Sequence, residues 1–253
     1  MPEAATLPTR KDEAWRYSDV SALEGTAPDT FEAWEDVHVA EGESWRDLIV
    51  LDDADGLTMR RLRIKLENGA RAELAALVAG GQLGRLEVVV SLSEGAHFEL
   101  GGITLGGGET TREIVTRLAH EKPGATSNQT VRSVHWGKGT GNFLGRIDVV
   151  RDAQKTDAAQ SFKGLLLEKG ASVNSVPQLE IFADDVQCAH GASVGQLDES
   201  ARFYMAARGL PPETIRRLLV QAFIGDATRE LADETTREML LEKALDKLEE
   251  RGA

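Results

Sequence analysis

A mainly β chain, wound as a solenoid and followed by a C-terminal helical segment, is what three features of the sequence predict. Strand-length apolar runs alternate with Gly-rich or acidic turns from residue 31 to about residue 200, a nine-residue pattern recurs around a Gly-Ala pair, and a helical period sets in after the prolines at 211 and 212.

Residues 9–20, TRKDEAWRYSDV, mix charge with Trp15 and Tyr17, and they read as a short amphipathic element whose aromatics anchor it to the body of the protein. The runs DLIVL (47–51), LEVVVSL (86–92) and IDVV (147–150) are short, rich in β-branched residues and bounded by Gly, Asn and Asp, which is the pattern of strands. LENGARAEL (66–74) and LSEGAHFEL (92–100) match at the outer leucines, the Gly-Ala pair and the glutamate, and Gly-Ala recurs at 124–125, 170–171 and 191–192. That spacing fits coils that turn at a small residue before re-entering a strand, with a β-sandwich as the structural alternative.

Open ends of a solenoid expose strand edges and core, so a cap is expected there. The stretch PPETIRRLLVQAF (211–223) supplies a candidate, because its prolines suit a first helical turn and Ile215, Leu218, Leu219, Ala222 and Phe223 fall on one face. Gly225 and Asp226 break this helix, and a second, charged one follows with Leu231, Leu241, Ala244, Leu245 and Leu248 on its apolar side. The helices are expected to pack on their own domain or to present a stripe to another protein, the former fitting the sequence better. Three segments result: 1–30 at the N-terminus, 31–207 as the β core and 208–253 as the helical end.

A formal charge of −13 and scattered basic residues argue against nucleic acid and anionic membrane surfaces as partners. The single Cys188 excludes an internal disulfide and any metal or iron–sulfur site built from cysteines of this chain alone. With no long apolar run and no signal-like start, a soluble cytoplasmic protein is expected.

Several catalytic motifs are missing. The glycines of WGKGTG (136–141) lack phosphate-loop spacing, and no GxGxxG after a strand, HExxH, CxxC or GxSxG is present. The richest block is NSVPQLEIFADDVQCAHGASVGQLDE (174–199), lying where strand texture gives way to helix. Cys188 and His190 are two apart, so on a strand a thiolate and an imidazole share one face and can converge on an ion. Two ligands do not make a site, and spacing alone reads the pair as a small buried cysteine and a hydrogen-bonded histidine near a turn at Gly191. Asp184 and Asp185 read as turn residues. His38, His97, His120 and His135 have no cysteine or second histidine within ligand spacing and read as ordinary residues.

The block over 177–198 closely resembles the signature region of the SufD family, scaffold subunits of the bacterial SUF iron–sulfur cluster assembly complex. The resemblance extends to FLGRIDV (143–149), AQKTDAAQ (153–160), FYMAARGL (203–210) and KDEAWRYSD (11–19). It implies a right-handed parallel β-helix with C-terminal helices and a non-enzymatic subunit that pairs with a SufB scaffold. It also implies that the SufC ATPase is held through the helical region, here the face of Ile215, Leu218, Leu219, Ala222 and Phe223. The family's Cys-x-His-Gly falls on 188–191. His190 is therefore the first choice as ligand or proton handler for iron or a nascent cluster at the SufB interface, with Cys188 second. No permanently bound cofactor is implied, only transient iron or cluster, and the isolated chain is expected to dimerise through the surface meant for SufB. A self-associating SufB-like scaffold and a carbohydrate-active β-helix enzyme are the alternatives. Typical members carry a sizeable helical domain before the β-helix, where this chain has residues 1–30.

Overall fold

In the computed structural model, which describes residues 7–53 and 56–250, twelve strands run in two parallel sheets that face each other across one core. The first sheet holds β1 (Glu35–Val39), β3 (Leu57–Leu66), β5 (Leu83–Leu92), β7 (Thr111–His120), β9 (Thr140–Val149) and β11 (Ser172–Ile181) in that order. The second holds β2 (Ser44–Leu51), β4 (Arg71–Val78), β6 (His97–Gly106), β8 (Thr126–His135), β10 (Asp157–Leu166) and β12 (Gln187–Gly195). Consecutive strands alternate between sheets and each pairs in parallel with the strand two further on, so the chain winds as a β-solenoid of about five turns. The β-sandwich alternative is excluded by this register. Residues 1–6 and 251–253 of the expected end segments lie outside the described residues.

Alternation puts every second side chain of a rung into the core. Leu62, Leu74, Val88, Leu100, Ile114 and Phe143 are all fully buried, and the Phe143 and Phe162 rings stack at 5.4 Å between centroids. The Gly-Ala pairs do turn the chain: Gly69, Gly95 and Gly124 have φ of 65°, 65° and 70°. L side chains avoid that region. Each following alanine, Ala70, Ala96 and Ala125, is buried. Successive turns stack, with Gly69 N donating to Glu94 O at 2.8 Å and Gly95 N to Pro123 O at 3.1 Å. The pair at 191–192 is a correction, because it lies inside β12 rather than in a turn.

The N-terminal segment, made of short 3-10 turns, lies on the outer face of the first sheet. Trp15 is buried edge-on to Phe31, with the Arg85 guanidinium 3.9 Å above its ring centroid. Beneath it, fully buried Arg85 donates to Glu113 at 2.6 Å, and Ser18 and Asn142 donate to the same carboxylate at 2.8 and 2.6 Å. Three donors thus converge on Glu113, which offsets part of the cost of burying the charge pair. Trp15 anchors as expected; Tyr17 does not, its ring being exposed while its carbonyl accepts from Asn142.

The C-terminal helices α1 (Glu199–Ala206), α2 (Pro212–Gly225) and α3 (Glu234–Glu250) correct two expectations. The β-helix ends at Gly195, so α1 falls inside the segment assigned to the β core. The helices also do not cap an end of the solenoid. Val220, Ile224, Leu231, Leu240, Ala244 and Leu248 instead bury the outer face of the second sheet, against Leu77, Ile103, Leu105 and Val134 among others. The approach is close enough that a Cβ at Gly101 would sit 2.5 Å from the Ala227 carbonyl. Arg132 clamps the junction by donating to Asp226 at 2.5 Å, and Glu73 accepts from the backbone N–H of Ala232 and Asp233.

Glu99 lies beside that junction at 6% exposure, accepting from Asn128 at 2.8 Å. Burial, helped by the carboxylates of Glu230 and Glu73, pushes its pKa up to about 8 against the pull of Asn128. An acid whose folded pKa is raised destabilises the fold as pH climbs from its unfolded to its folded value. Glu99→Gln is therefore expected to gain stability over wild type between pH 4.5 and about 8, by up to about 1.4 kcal/mol per pH unit, in chemical denaturation across that range. Glu113→Ala, which removes the nearer counter-charge of buried Arg85 and leaves it Glu87 at 3.4 Å, is expected to cost on the order of 3 kcal/mol in the same measurement.

Candidate functional site

Every inner coil has a rung on each side; the last coil has one on one side only. β11 pairs with β9 and β12 with β10, and among the described residues neither carries a further strand. Because the helices went to the side of the solenoid, the upper face of this coil is uncovered among the described residues. Ile181 is 39%, Phe182 58% and Val194 49% exposed there. Backbone edges and apolar side chains are thus left open together on this coil.

Cys188 and His190 are in this coil. Cys188 registers with Ala158 and packs against the core from its margin, and His190 registers with Gln160. Both occupy core-facing positions of β12, one strand repeat apart, so the expected convergence on one face holds. Burial, with the carboxylate of Asp157 adding to it, pushes the Cys188 thiol above its ordinary value. Cys188 is therefore a protonated thiol at neutral pH and acts as a ligand only where a metal displaces the proton. His190 is exposed at the open end.

The other histidines each have a local partner. His38 meets Glu67 at 2.9 Å, His97 meets Thr126 at 2.7 Å, His120 meets Ser127 at 2.9 Å and His135 meets Ser133 at 2.8 Å. Burial lowers His120 to about 4 and His135 to about 3, so both are neutral imidazoles of the core. Among the described residues no three His, Cys, Asp or Glu side chains are grouped so as to hold a metal. Cys188 and His190 thus stand as a pair with no third such side chain beside them among the described residues. Asp184 and Asp185 lie in the bend before β12, as expected, and Asp185 ties that bend to Lys155 one coil below.

The second candidate surface is the α2 face. Ile215 is turned into the protein's own body at 1% exposure, Leu218, Leu219 and Phe223 are half-buried, and Ala222 is exposed. Phe203 and Tyr204 of α1 stand out beside it at 77% and 57% exposure. Sequence reasoning missed these two, and their adjacency on a short helix after the last strand was the available signal. It also missed Gln160, which registers with His190 but reads as an unremarkable polar residue in a strand.

Residues 37–223 match the family model described as SUF system FeS cluster assembly, SufBD core domain. The chain is 38% identical over 126 residues to the iron–sulfur cluster assembly protein SufD of Escherichia coli, covering 50% of this chain and 30% of that protein. It is 35% identical over 162 residues to protein ABCI7, chloroplastic, of Arabidopsis thaliana, covering 63% and 34%, and 30% identical over 131 residues to SufD of Bacillus subtilis, covering 46% and 30%. The chain thus spans about a third of the length of these relatives. The matched region runs from β1 into α2 and takes in the open last coil, and on this ground the chain belongs to the SufBD family of iron–sulfur cluster assembly proteins, as a SufD-type member.

Proposed function

We propose that this chain is a non-catalytic scaffold subunit that pairs with a SufB-like scaffold through its open last coil and binds a SufC-like ATPase through its C-terminal helices. The observation that supports the reading is the uncovered last coil, which exposes Phe182 and Val194 and carries Cys188 and His190 on β12 between them in sequence. A related β-helix stacked on that coil satisfies the strand edges, buries the rim and adds the missing ligands at once. Iron or a nascent cluster is the cargo handled there. His190 serves as ligand or proton handler, and Cys188 joins it only once a metal has displaced its thiol proton.

Nucleotide chemistry is assigned to the ATPase, because the sequence has no phosphate loop. Its seat is the part of α2 left by the packing of Ile215, namely Leu218, Leu219, Ala222 and Phe223, with Phe203 and Tyr204 alongside. No helix among the described residues is long and apolar enough to cross a membrane, which suits the cytoplasmic setting proposed for such a complex. In the absence of a SufB-like subunit, the same coil is the surface through which two copies of this chain associate.

Two measurements test the reading. Co-expression with SufB- and SufC-like subunits, followed by anaerobic iron and sulfide analysis, is expected to show His190→Ala retaining the ternary complex while iron or cluster content falls on the order of tenfold. A complex with unchanged metal content makes the chain a support for its partner alone. Paired substitution of Leu218 and Leu219 by Asp is expected to weaken ATPase binding roughly thirtyfold or more with the β circular-dichroism signal intact, and unchanged co-purification overturns the assignment of that face.

A further inference from the structure

Gln160 is 3% exposed, and neither its amide oxygen nor its amide nitrogen has a hydrogen-bond partner among the described residues. A buried primary amide with both atoms unpaired is rare in folded proteins and calls for a partner. The rungs on either side show which partner is available.

One rung below, Gln129 holds the same column position, and its oxygen accepts from the Thr116 hydroxyl across the core at 2.6 Å. In the next coil the place of Thr116 is taken by Gly145, so Gln160 has no hydroxyl opposite it. A Cβ at Gly145 would lie 2.9 Å from the Gln160 amide nitrogen and 2.6 Å from the Phe143 ring, so the amide nitrogen rests against bare backbone. The oxygen is unpaired as well, and the next rung is the direction in which a partner can be sought. That rung is β12, and the residue in register is His190, one strand spacing away at about 4.8 Å.

We propose that Gln160 is a positioning residue for His190, its amide oxygen accepting the N–H of one imidazole nitrogen. The other ring nitrogen then keeps its lone pair turned out of the open end, which is the tautomer and orientation that a metal-ligating imidazole needs. Gly145 and Gln160 act together: the glycine removes the competing hydroxyl and makes room for the amide. The proposal deepens the reading of His190 as a ligand and rests on it for its purpose, while the hydrogen bond itself is measurable without metal.

The test is long-range 1H–15N correlation of the imidazole nitrogens in the histidine-labelled full chain, above the titration of the ring, with the His190 signals assigned by their loss in His190→Ala. Wild type is expected to show one neutral tautomer. Gln160→Leu, which keeps the bulk and removes the acceptor, is expected to give a mixture, and Gln160→Glu, which keeps an acceptor oxygen, is expected to restore the single form. A mixture in wild type, or a tautomer unchanged by Gln160→Leu, overturns the proposal. Should Gln160→Leu not fold, Gln160→Asn, whose shorter amide does not reach the ring, takes its place with the same expected mixture. The reading of His190 fails separately, when His190→Ala leaves iron and cluster content of the assembled complex unchanged whatever the tautomer shows.

Discussion

A parallel solenoid satisfies its backbone only by stacking, and that requirement organises the whole molecule. Each strand's N–H and C=O groups are paired by the strand of the coil above and of the coil below, so an inner coil is complete and a terminal one is not. The chain spends its own ends on the two broad faces rather than on the terminal coil. The N-terminal segment covers the first sheet through Trp15 and the Glu113 network, and the helices cover the second through Val220, Ile224 and Leu240. Among the described residues the two terminal coils stay open, the first formed by β1 and β2 and the last carrying Cys188 and His190.

The chemistry of the open coil follows from the column logic of the core. Below it the columns are filled by Leu74 and Leu100, then by Gln129 and Gln160, and they end at His190, so the second sheet passes from apolar to polar as it approaches its edge. Polar residues of this kind are costly inside a sealed core and become useful where the core meets a partner or cargo.

Much of this was legible in the sequence because the solenoid repeats itself locally. The Gly-Ala pairs at 69–70, 95–96 and 124–125 mark turns whose backbone only glycine adopts comfortably, and the runs at 47–51 and 86–92 fall inside strands. The site block around residues 188–191 was legible through its resemblance to a family, not through spacing. What was not legible depended on contacts distant in sequence. Nothing local distinguishes Gly191-Ala192, which continues a strand, from the pairs that turn. Ser18 meets Glu113 across 95 residues and Glu73 meets Ala232 across 159, so which face each terminus would cover could not be read from period or composition. The face expected for α2 held Ile215, Leu218, Leu219, Ala222 and Phe223, but the helix buries Ile215, Val220 and Ile224, because a helical period does not say which of two apolar sides meets the sheet.

The N-terminal segment also sets how the solenoid bears load. Its contacts fall on Gln82, Arg85, Glu113, Asn142 and Gln178, which stand just before β5 or on β5, β7, β9 and β11. The segment therefore runs across the strands like a batten across planks. A pull on the uppermost coil is shared by four successive planks instead of peeling that coil away, and stiffness along the solenoid axis does not rest on the strand-to-strand hydrogen bonds alone.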